Sequence, residues 1–281
     1  MRRERSPRDT AGLRRLRGDL SAITIVAALL LAVNFLPTDR TLDEVRSSGV
    51  LRACVPNTYP PLVTESSGAP GVDIEILQQV AEELGVRLLL VRNSAIGRDF
   101  DPRNWRLTRA QCVVIAGGVV DTQATRGYLV VTPPHLETGW AAVVLDEHPD
   151  TLEGARVGFY SGLTGLDRLA LGRWLRDRGA DVTIVSNRDE ARDGLERGRF
   201  DVVVSEALTA RSIASEVGGH AVWLPITSDR APIGFGMWKG DLTLERAVAR
   251  ALSVIERDGR RADILSRYAL APIADECAFC S

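Results

Sequence analysis

The chain is poor in the residues that build metal centres and catalytic triads. Its 281 residues include three histidines, His135, His148 and His220, and their spacing matches no metal site or triad. The sequence also lacks G-x-S-x-G, a Walker loop and H-E-x-x-H. We therefore expect no metal site, no cofactor and no catalytic residue, and the leading interpretation is a protein that is not an enzyme.

Basic residues are scarce beyond the N-terminus. Residues 1–40 hold eight arginines against four acidic residues, whereas residues 41–281 hold 27 basic and 33 acidic residues. An excess of acid over base argues against a surface that binds nucleic acid. Hydrophobic residues make up 45% of the chain and charged residues 26%, which is typical of a globular protein with a core. The length allows one large domain or two small ones.

One long apolar run lies near the N-terminus. Residues 1–18 are basic and polar, and residues 21–36, SAITIVAALLLAVNFL, carry no charge. With its flanks the segment 19–37 approaches the roughly 20 residues that span a bilayer, and its basic side should stay in the cytoplasm. We expect a transmembrane signal anchor, with a cleaved signal peptide as the alternative. Either one places the rest of the chain in the periplasm or another extracytoplasmic space.

Four cysteines fit that compartment. Cys54 and Cys112 each lie in an apolar, strand-like run, and outside the cytosol they can pair as a disulfide. Two inert core thiols are the alternative. Cys277 and Cys280 have C-x-x-C spacing but do not open a helix, as a redox motif would. The alternatives for Cys277 and Cys280 are a local disulfide and two free thiols in the tail.

Strands alternate with helices in two successive sets, which predicts an α/β fold with mainly parallel sheets flanked by helices. We predict a first lobe from residues 41–142 and 233–270, a second lobe from residues 146–228, and a tail at 271–281. Two hinge crossings would join the lobes, near residues 141–147 and 227–235. Because open α/β sheets bind ligands at the carboxyl ends of their strands, facing lobes would form a cleft between them.

The order of segments resembles one family, the extracytoplasmic solute-binding proteins of polar amino acid ABC transporters, family 3. The resemblance covers about residues 41–270. It implies a periplasmic-binding-protein-like fold. The segments that carry it are TLDEVRSSGVLRACVPNTYPPL, GVDIEILQQVAEELGV, VVIAGGVVDTQATRGYLVVTPPHLETGWAAVV, LEGARVGFYSGLTG, GRFDVVVSEALTA and IGFGMWKGD. No single segment is specific, but six in order are. The resemblance implies capture of a small charged solute, an amino acid or a related carboxylate, for a membrane permease or a sensor.

The resemblance also implies roles for individual residues. Arg126 matches the arginine that pairs with a ligand α-carboxylate, which a guanidinium meets with two hydrogen bonds. Glu206 matches the carboxylate that holds an α-ammonium, and Tyr59 the aromatic residue that packs on the ligand. Val119 falls where a backbone carbonyl meets the ammonium. The turn at Gly162, Leu163 and Thr164 matches one whose N–H groups and hydroxyl meet the carboxylate.

Two positions depart from the family pattern. Asp121 stands where the family has threonine or serine, so a shift of one residue would bring Thr122 to that place. Pro56 replaces an acidic residue after the first strand. The paired cysteines also resemble a branch of the fold found near quinoprotein dehydrogenases, which leaves a ligand other than an amino acid open.

Each proposed site residue has a structural alternative. Arg126 can pair on the surface with Asp121 or Glu137, and Glu206 can cap the helix that follows it. Tyr59 can pack beneath the proline loop, and the turn at residues 162–164 can be a plain turn. At the level of function, the alternatives are a dehydratase acting on prephenate-like acids, with Glu206 or Asp121 as general acid, and a ligand-sensing ectodomain.

Overall fold

The computed structural model describes residues 23–28, 39–96, 102–147, 149–161, 166–226, 230–268, 270, 273 and 279. Met1–Asp39 forms one compact unit and Arg40–Ser281 another. In the first unit, residues 23–28 are helical and exposed. Within the described part of the chain, no helix combines the length and the apolar character needed to cross a membrane. Most of the predicted anchor at 19–37 lies outside the described residues.

The first sheet of the second unit is built from both ends of that unit. Its strand order is β2-β1-β3-β11-β4, and β5 pairs with β11. The strands are β1 Val50–Val55, β2 Arg87–Arg92, β3 Val114–Val120, β4 Leu129–Val131, β5 Leu136–Thr138 and β11 Ala231–Trp238. β1 is parallel to β2 and β3, while β11 runs antiparallel to β3, β4 and β5.

All strands of the second sheet come from the part of the sequence between β5 and β11. Its strand order is β10-β6-β9-β7-β8. The strands are β6 Trp140–Val144, β7 Arg156–Phe159, β8 Asp181–Ile184, β9 Val202–Glu206 and β10 His220–Trp223. β7 is parallel to β8 and β9, and β6 is antiparallel to β9 and β10. The two-sheet α/β fold is confirmed, with each sheet mixed, because the strands next to the crossings return in the opposite direction.

Eight helices are described in the second unit. They are α1 Thr41–Ser48, α2 Val72–Leu84, α3 Gln123–Tyr128, α4 Arg168–Asp177, α5 Arg188–Glu196, α6 Ala207–Val217, α7 Leu242–Arg257 and α8 Arg260–Arg267. The apolar spacing of α7 predicts one inward face, and all of its members are buried: Leu244, Ala247, Val248, Ala251, Leu252 and Ile255. Gly85 ends α2 in the left-handed conformation, at φ 72°, which suits glycine.

The first crossing comes earlier than the sequence predicts. The predicted boundary assigned residues up to 142 to the first lobe, but Trp140–Val144 pairs in the second sheet. The two sheets are separated there by Gly139 alone, since β5 ends at Thr138. Gly139 is the one turn residue between β5 and β6, so the sequence pattern offers little sign of the change of sheet. The second crossing lies between Trp223 and Ala231, so it overlaps the predicted range of 227–235 but begins earlier.

The predicted tail at 271–281 contributes to the core of the second sheet. Ile273 packs with the apolar cluster on one face of that sheet, and Phe279 with the cluster on the other. Both side chains are buried. The tail is therefore not a loose extension at these two positions, although Cys277 and Cys280 lie outside the described residues. Leu270 instead joins the core of the first sheet.

A buried contact between a carboxylate and an imidazole joins three parts of the first sheet. Asp73, in the first turn of α2, accepts hydrogen bonds from the N–H groups of Gly117 and Gly118 at 2.7 and 3.2 Å. Its other oxygen lies 2.8 Å from Nε2 of His135. Gly117 and Gly118 have φ values of 96° and 90°, which glycine adopts readily and which turn both N–H groups toward the carboxylate. These contacts anchor the middle of β3 to α2 and to the segment before β5.

The structure contains the predicted disulfide between Cys54 in β1 and Cys112, two residues before β3. The two Cα atoms are 5.5 Å apart, within the range that a disulfide requires. β1 and β3 are neighbouring strands, with Cys54 opposite Ile115. The bridge packs in a buried apolar cluster that includes Trp105. Trp105 is 3% exposed.

We expect loss of this disulfide to lower the free energy of unfolding by about 2–4 kcal/mol, because it closes a long loop in the unfolded chain. The sequence separation of the two cysteines is 58 residues. Urea unfolding of the wild type and of Cys54→Ala/Cys112→Ala measures the change, and reductant should reproduce it in the wild type only. Equal stability of the two proteins, or alkylation of both thiols in the native protein, would contradict the pairing.

Candidate functional site

Glu206 is the last residue of β9, at the carboxyl end of the second sheet, and its side chain is fully buried. Oε1 accepts hydrogen bonds from the Thr209 N–H at 2.6 Å and from the Tyr59 hydroxyl at 3.1 Å. Oε2 accepts from the Thr138 hydroxyl at 2.8 Å and from the Leu208 N–H at 2.9 Å. A carboxylate offers about four acceptor positions, so these donors satisfy it.

The donors to Glu206 come from both sheets. The two N–H groups belong to the first turn of α6, so Glu206 is the N-cap of that helix, which was the structural alternative for this residue. Tyr59 follows β1 and Thr138 ends β5, and both strands belong to the first sheet. The carboxylate therefore ties the first sheet to the start of α6. A solute ammonium could reach it only by displacing one of these donors.

Tyr59 reaches across from the first sheet to this carboxylate. Its hydroxyl also lies 3.4 Å from the Thr209 hydroxyl. Burial, together with the negative charge of Glu206, raises the pKa of the Tyr59 phenol well above its ordinary value. The phenol therefore stays protonated and donates to the carboxylate at neutral pH. Tyr59 is both a packing residue beside the proline loop, as the alternative held, and a polar contact between the two sheets.

Two further residues lie near the contact between Tyr59 and Glu206, and the sequence analysis selected neither. Burial first, and then the charge of Glu206, raise the pKa of the Tyr160 phenol. Burial lowers the pKa of Arg168, while Tyr59 and Tyr160 act in the opposite direction. Tyr160 directly follows β7, and Arg168 opens α4. The sequence feature that could have identified Tyr160 as a site residue is its position at the carboxyl end of a strand. No sequence feature points to Thr138 or Thr209.

Arg126 is in α3 and is held by Asp121. Its Nε donates to Oδ1 at 2.6 Å and its Nη2 to Oδ2 at 2.7 Å. The Arg126 side chain is 68% exposed, against 17% for Asp121. The hydrogen bonds from the guanidinium to Asp121, and the charge of that carboxylate, raise the pKa of Arg126. The surface pair with Asp121, one of the alternatives for Arg126, is thus present, while Glu137 pairs with Arg230.

The other predicted residues fall in different places. Thr122 caps α3, and its hydroxyl oxygen accepts from the Thr125 N–H at 3.2 Å. Val119 is buried in β3, opposite Gly234 of β11. Gly162, Leu163 and Thr164 lie outside the described residues. Among the described residues, no hydrogen bond or ion pair joins Arg126 to Glu206, so the roles inferred for these residues remain predictions.

Two cavities bear on the location of the site. One of about 420 Å³ lies between the start of α3, at Thr122–Ala124, and the start of α4, at Leu166–Leu169. The cavity therefore lies between α3, which follows a strand of the first sheet, and α4, which follows a strand of the second sheet. Thr122, one of the predicted contacts, lines it. A second of about 810 Å³ is lined by Glu137, Arg211, Arg230 and Arg261, and no predicted ligand residue borders it. We place the site at the first because it adjoins the carboxyl ends of the strands.

Substitution of Glu206 by glutamine should lower the free energy of unfolding by about 2–4 kcal/mol, because an amide nitrogen then faces buried donors that it cannot satisfy. Asn187→Ala is the matched control. Asn187 caps α5 at the surface, accepting from the Glu190 N–H at 2.8 Å, and its loss should cost about 1 kcal/mol. Urea unfolding measures both. A Glu206→Gln protein no less stable than the control would contradict the structural role of the carboxylate.

Known proteins are similar to this chain in sequence. L-cystine-binding protein TcyJ of Escherichia coli K12 is 25% identical over 248 residues, covering 85% of this chain and 88% of the relative. Cyclohexadienyl dehydratase of Pseudomonas aeruginosa is 36% identical over 77 residues, covering 26% of this chain and 29% of that enzyme.

Solved structures show the same fold. An ancestral cationic amino acid solute-binding protein has a TM-score of 0.66 at 20% identity, over 81% of this chain and 99% of that one. A substrate-binding protein of an ABC uptake transporter from Streptococcus pneumoniae, with bound histidine, has a TM-score of 0.64 at 18% identity, over 85% and 99% of the two chains. The model of the bacterial extracellular solute-binding proteins, family 3, matches residues 51–271. This chain belongs to that family.

Proposed function

We propose that this protein captures a small charged solute between its two sheets, at the carboxyl ends of their strands. The observation that carries the proposal is the hydrogen bond from Tyr59 to Glu206, which joins the loop after β1 of the first sheet to the end of β9 in the second. A solute bound beside this contact would touch both halves. It would favour a closed arrangement by the difference between its affinities for the closed and open forms.

Amino acids and related compounds are the solute class that the relatives support. TcyJ is named for L-cystine, and the Streptococcus pneumoniae structure contains histidine. A second relative structure from Streptococcus pneumoniae, 20% identical, contains L-arginine. The phenols of Tyr59 and Tyr160 and the guanidinium of Arg168 supply aromatic and charged groups for such a solute. Tyr59, Val119, Asp121, Thr122, Arg126, Gly162, Leu163, Thr164 and Glu206 remain the predicted contacts.

The partner we propose is a membrane permease of the ABC type or a membrane sensor. The family is extracellular, and two relative structures belong to ABC transport systems. Attachment through residues 19–37 would raise the effective concentration of the protein near such a partner.

Membrane attachment predicts that the full-length chain sediments with membranes after an alkaline carbonate wash, whereas a chain starting at residue 38 is released. Immunoblots of the two fractions make the comparison. The expected difference follows from the uncharged run at residues 21–36. If the chain expressed from residue 1 is released, and mass spectrometry places its N-terminus beyond residue 37, the segment is a cleaved signal peptide instead.

A dehydratase activity is the second candidate. The observation that favours it is the 36% identity with cyclohexadienyl dehydratase over 77 residues. Against it, the oxygens of Glu206 already accept four hydrogen bonds from within the chain, so a substrate could contact this carboxylate only by displacing one of these donors. Formation of product from prephenate or a related acid would favour this second function over the first.

A binding protein should show a rise in melting temperature with its solute, because the solute binds only the native state. We expect a saturating shift for at least one member of a panel of amino acids, amines, small dicarboxylates and alcohols, with no product after prolonged incubation. Small-angle scattering should show a smaller radius of gyration with that solute. A panel that gives neither a shift nor compaction would count against capture of a small solute.

A further inference from the structure

The guanidinium of Arg126 is already bound to a carboxylate, and that carboxylate belongs to the same chain. Two parallel hydrogen bonds join it to both oxygens of Asp121, at 2.6 and 2.7 Å. This fork is the geometry in which an arginine recognises a carboxylate ligand. Asp121 thus makes, within the protein, the contacts that a solute carboxylate would make with Arg126.

The local backbone explains why the pair forms. Thr122 is the N-cap of α3, so Asp121 is the residue before the cap and Arg126 is the fourth residue of the helix. The side chain of the residue before the cap and that of the fourth helical residue come close together at the start of a capped helix. In many helices both side chains are apolar and pack against each other. Here the contact is an ion pair. The N–H of Asp121 also donates to the carbonyl of Pro232 at 2.8 Å, which fixes the backbone that carries the carboxylate.

A solute carboxylate competes with Asp121 at a disadvantage. Asp121 is held five residues away on the same chain, whereas a free solute loses translational and rotational freedom when it binds. A solute that displaced Asp121 would also bring its own negative charge beside the released aspartate, and like charges at short range repel.

We infer that Asp121 is an internal competitor that sets the specificity of the cleft. It occupies Arg126 in place of a solute carboxylate, so the wild-type protein selects solutes whose recognition does not depend on an α-carboxylate, such as the amines that correspond to amino acids. This inference rests on the proposed function and narrows its solute class. Removal of the Asp121 carboxylate frees Arg126 and restores binding of α-amino acids.

The experiment compares matched solutes with matched variants. The solutes are arginine and agmatine, lysine and cadaverine, and histidine and histamine, in which each amine lacks only the α-carboxylate. The variants are Asp121→Ser, Arg126→Ala and Asp121→Ser/Arg126→Ala. Asp201→Ser is the control, because Asp201 forms an equivalent bidentate pair with Arg156 at the opposite end of β9 from Glu206. Calorimetric titration gives the affinities, and circular dichroism shows that each variant is folded.

We expect the wild type and Asp201→Ser to bind each amine at least as tightly as its amino acid. Asp121→Ser should bind at least one amino acid at least tenfold more tightly than the wild type does, with no comparable gain for its amine. The double variant should lose that gain, which shows that Arg126 carries it.

Two results would overturn the inference. One is a wild type that prefers an amino acid over its amine tenfold or more, with the preference lost in Arg126→Ala. The other is an Asp121→Ser protein that is folded but gains no affinity for any amino acid. In both cases the proposed function is judged separately, because it fails only if no solute of the broader panel shifts the melting temperature of the wild type.

Discussion

The burial of the Glu206 carboxylate is the constraint on which the arrangement of this protein depends. A charged group that leaves water costs a large free energy unless hydrogen bonds replace its hydration. At Glu206 that replacement comes from two N–H groups of α6, from Thr138 of β5, and from Tyr59 of the loop after β1. Because two of these donors belong to the first sheet, satisfying the carboxylate also brings the strand ends of the two sheets together.

A second carboxylate makes a similar connection inside the first sheet. Asp73 accepts hydrogen bonds from two N–H groups in the middle of β3 and contacts the ring of His135, whose imidazole stacks on Phe235 of β11. Asp73 therefore holds the strand that leads to Asp121 and α3. The disulfide between Cys54 and Cys112 constrains the other end of the same strand pair. Together these contacts make the first sheet a rigid support for the residues at its rim.

Two charged groups that the family resemblance assigns to the solute, those of Arg126 and Glu206, both have partners in the chain itself. The consequence differs between them. Glu206 is fully buried and caps a helix, so its partners are structural. Arg126 is largely exposed, and among the described residues its side chain has one partner, Asp121, so a substitution at Asp121 would free the guanidinium. We propose that specificity can therefore change at Asp121 without disturbing the carboxylate that connects the sheets.

Periodicity and turn residues were enough to predict the two-sheet α/β fold and the inward face of α7, because both depend on local spacing. The cysteine pair was expected from two strand-like runs outside the cytosol, with two core thiols as the alternative. The change of sheet was predicted too late, because Gly139 alone separates β5 from β6. The contact of Thr138 with Glu206 was not predicted, because a contact over 68 residues of sequence leaves no local pattern, whereas the N–H donors of α6 follow from the helix-cap alternative for Glu206. The pair of Arg126 with Asp121 was one of the alternatives for Arg126, and its geometry depends on the cap at Thr122.

A double-mutant cycle on Tyr59 and Glu206 tests most directly whether the two sheets meet at this carboxylate. The free energies of unfolding of the wild type, Tyr59→Phe, Glu206→Gln and the double variant give the coupling between the two side chains. A direct hydrogen bond predicts that the two losses fail to add by about 1 kcal/mol or more. Losses that add to within about 0.3–0.5 kcal/mol would show that the two residues do not interact, and the central contact would be absent.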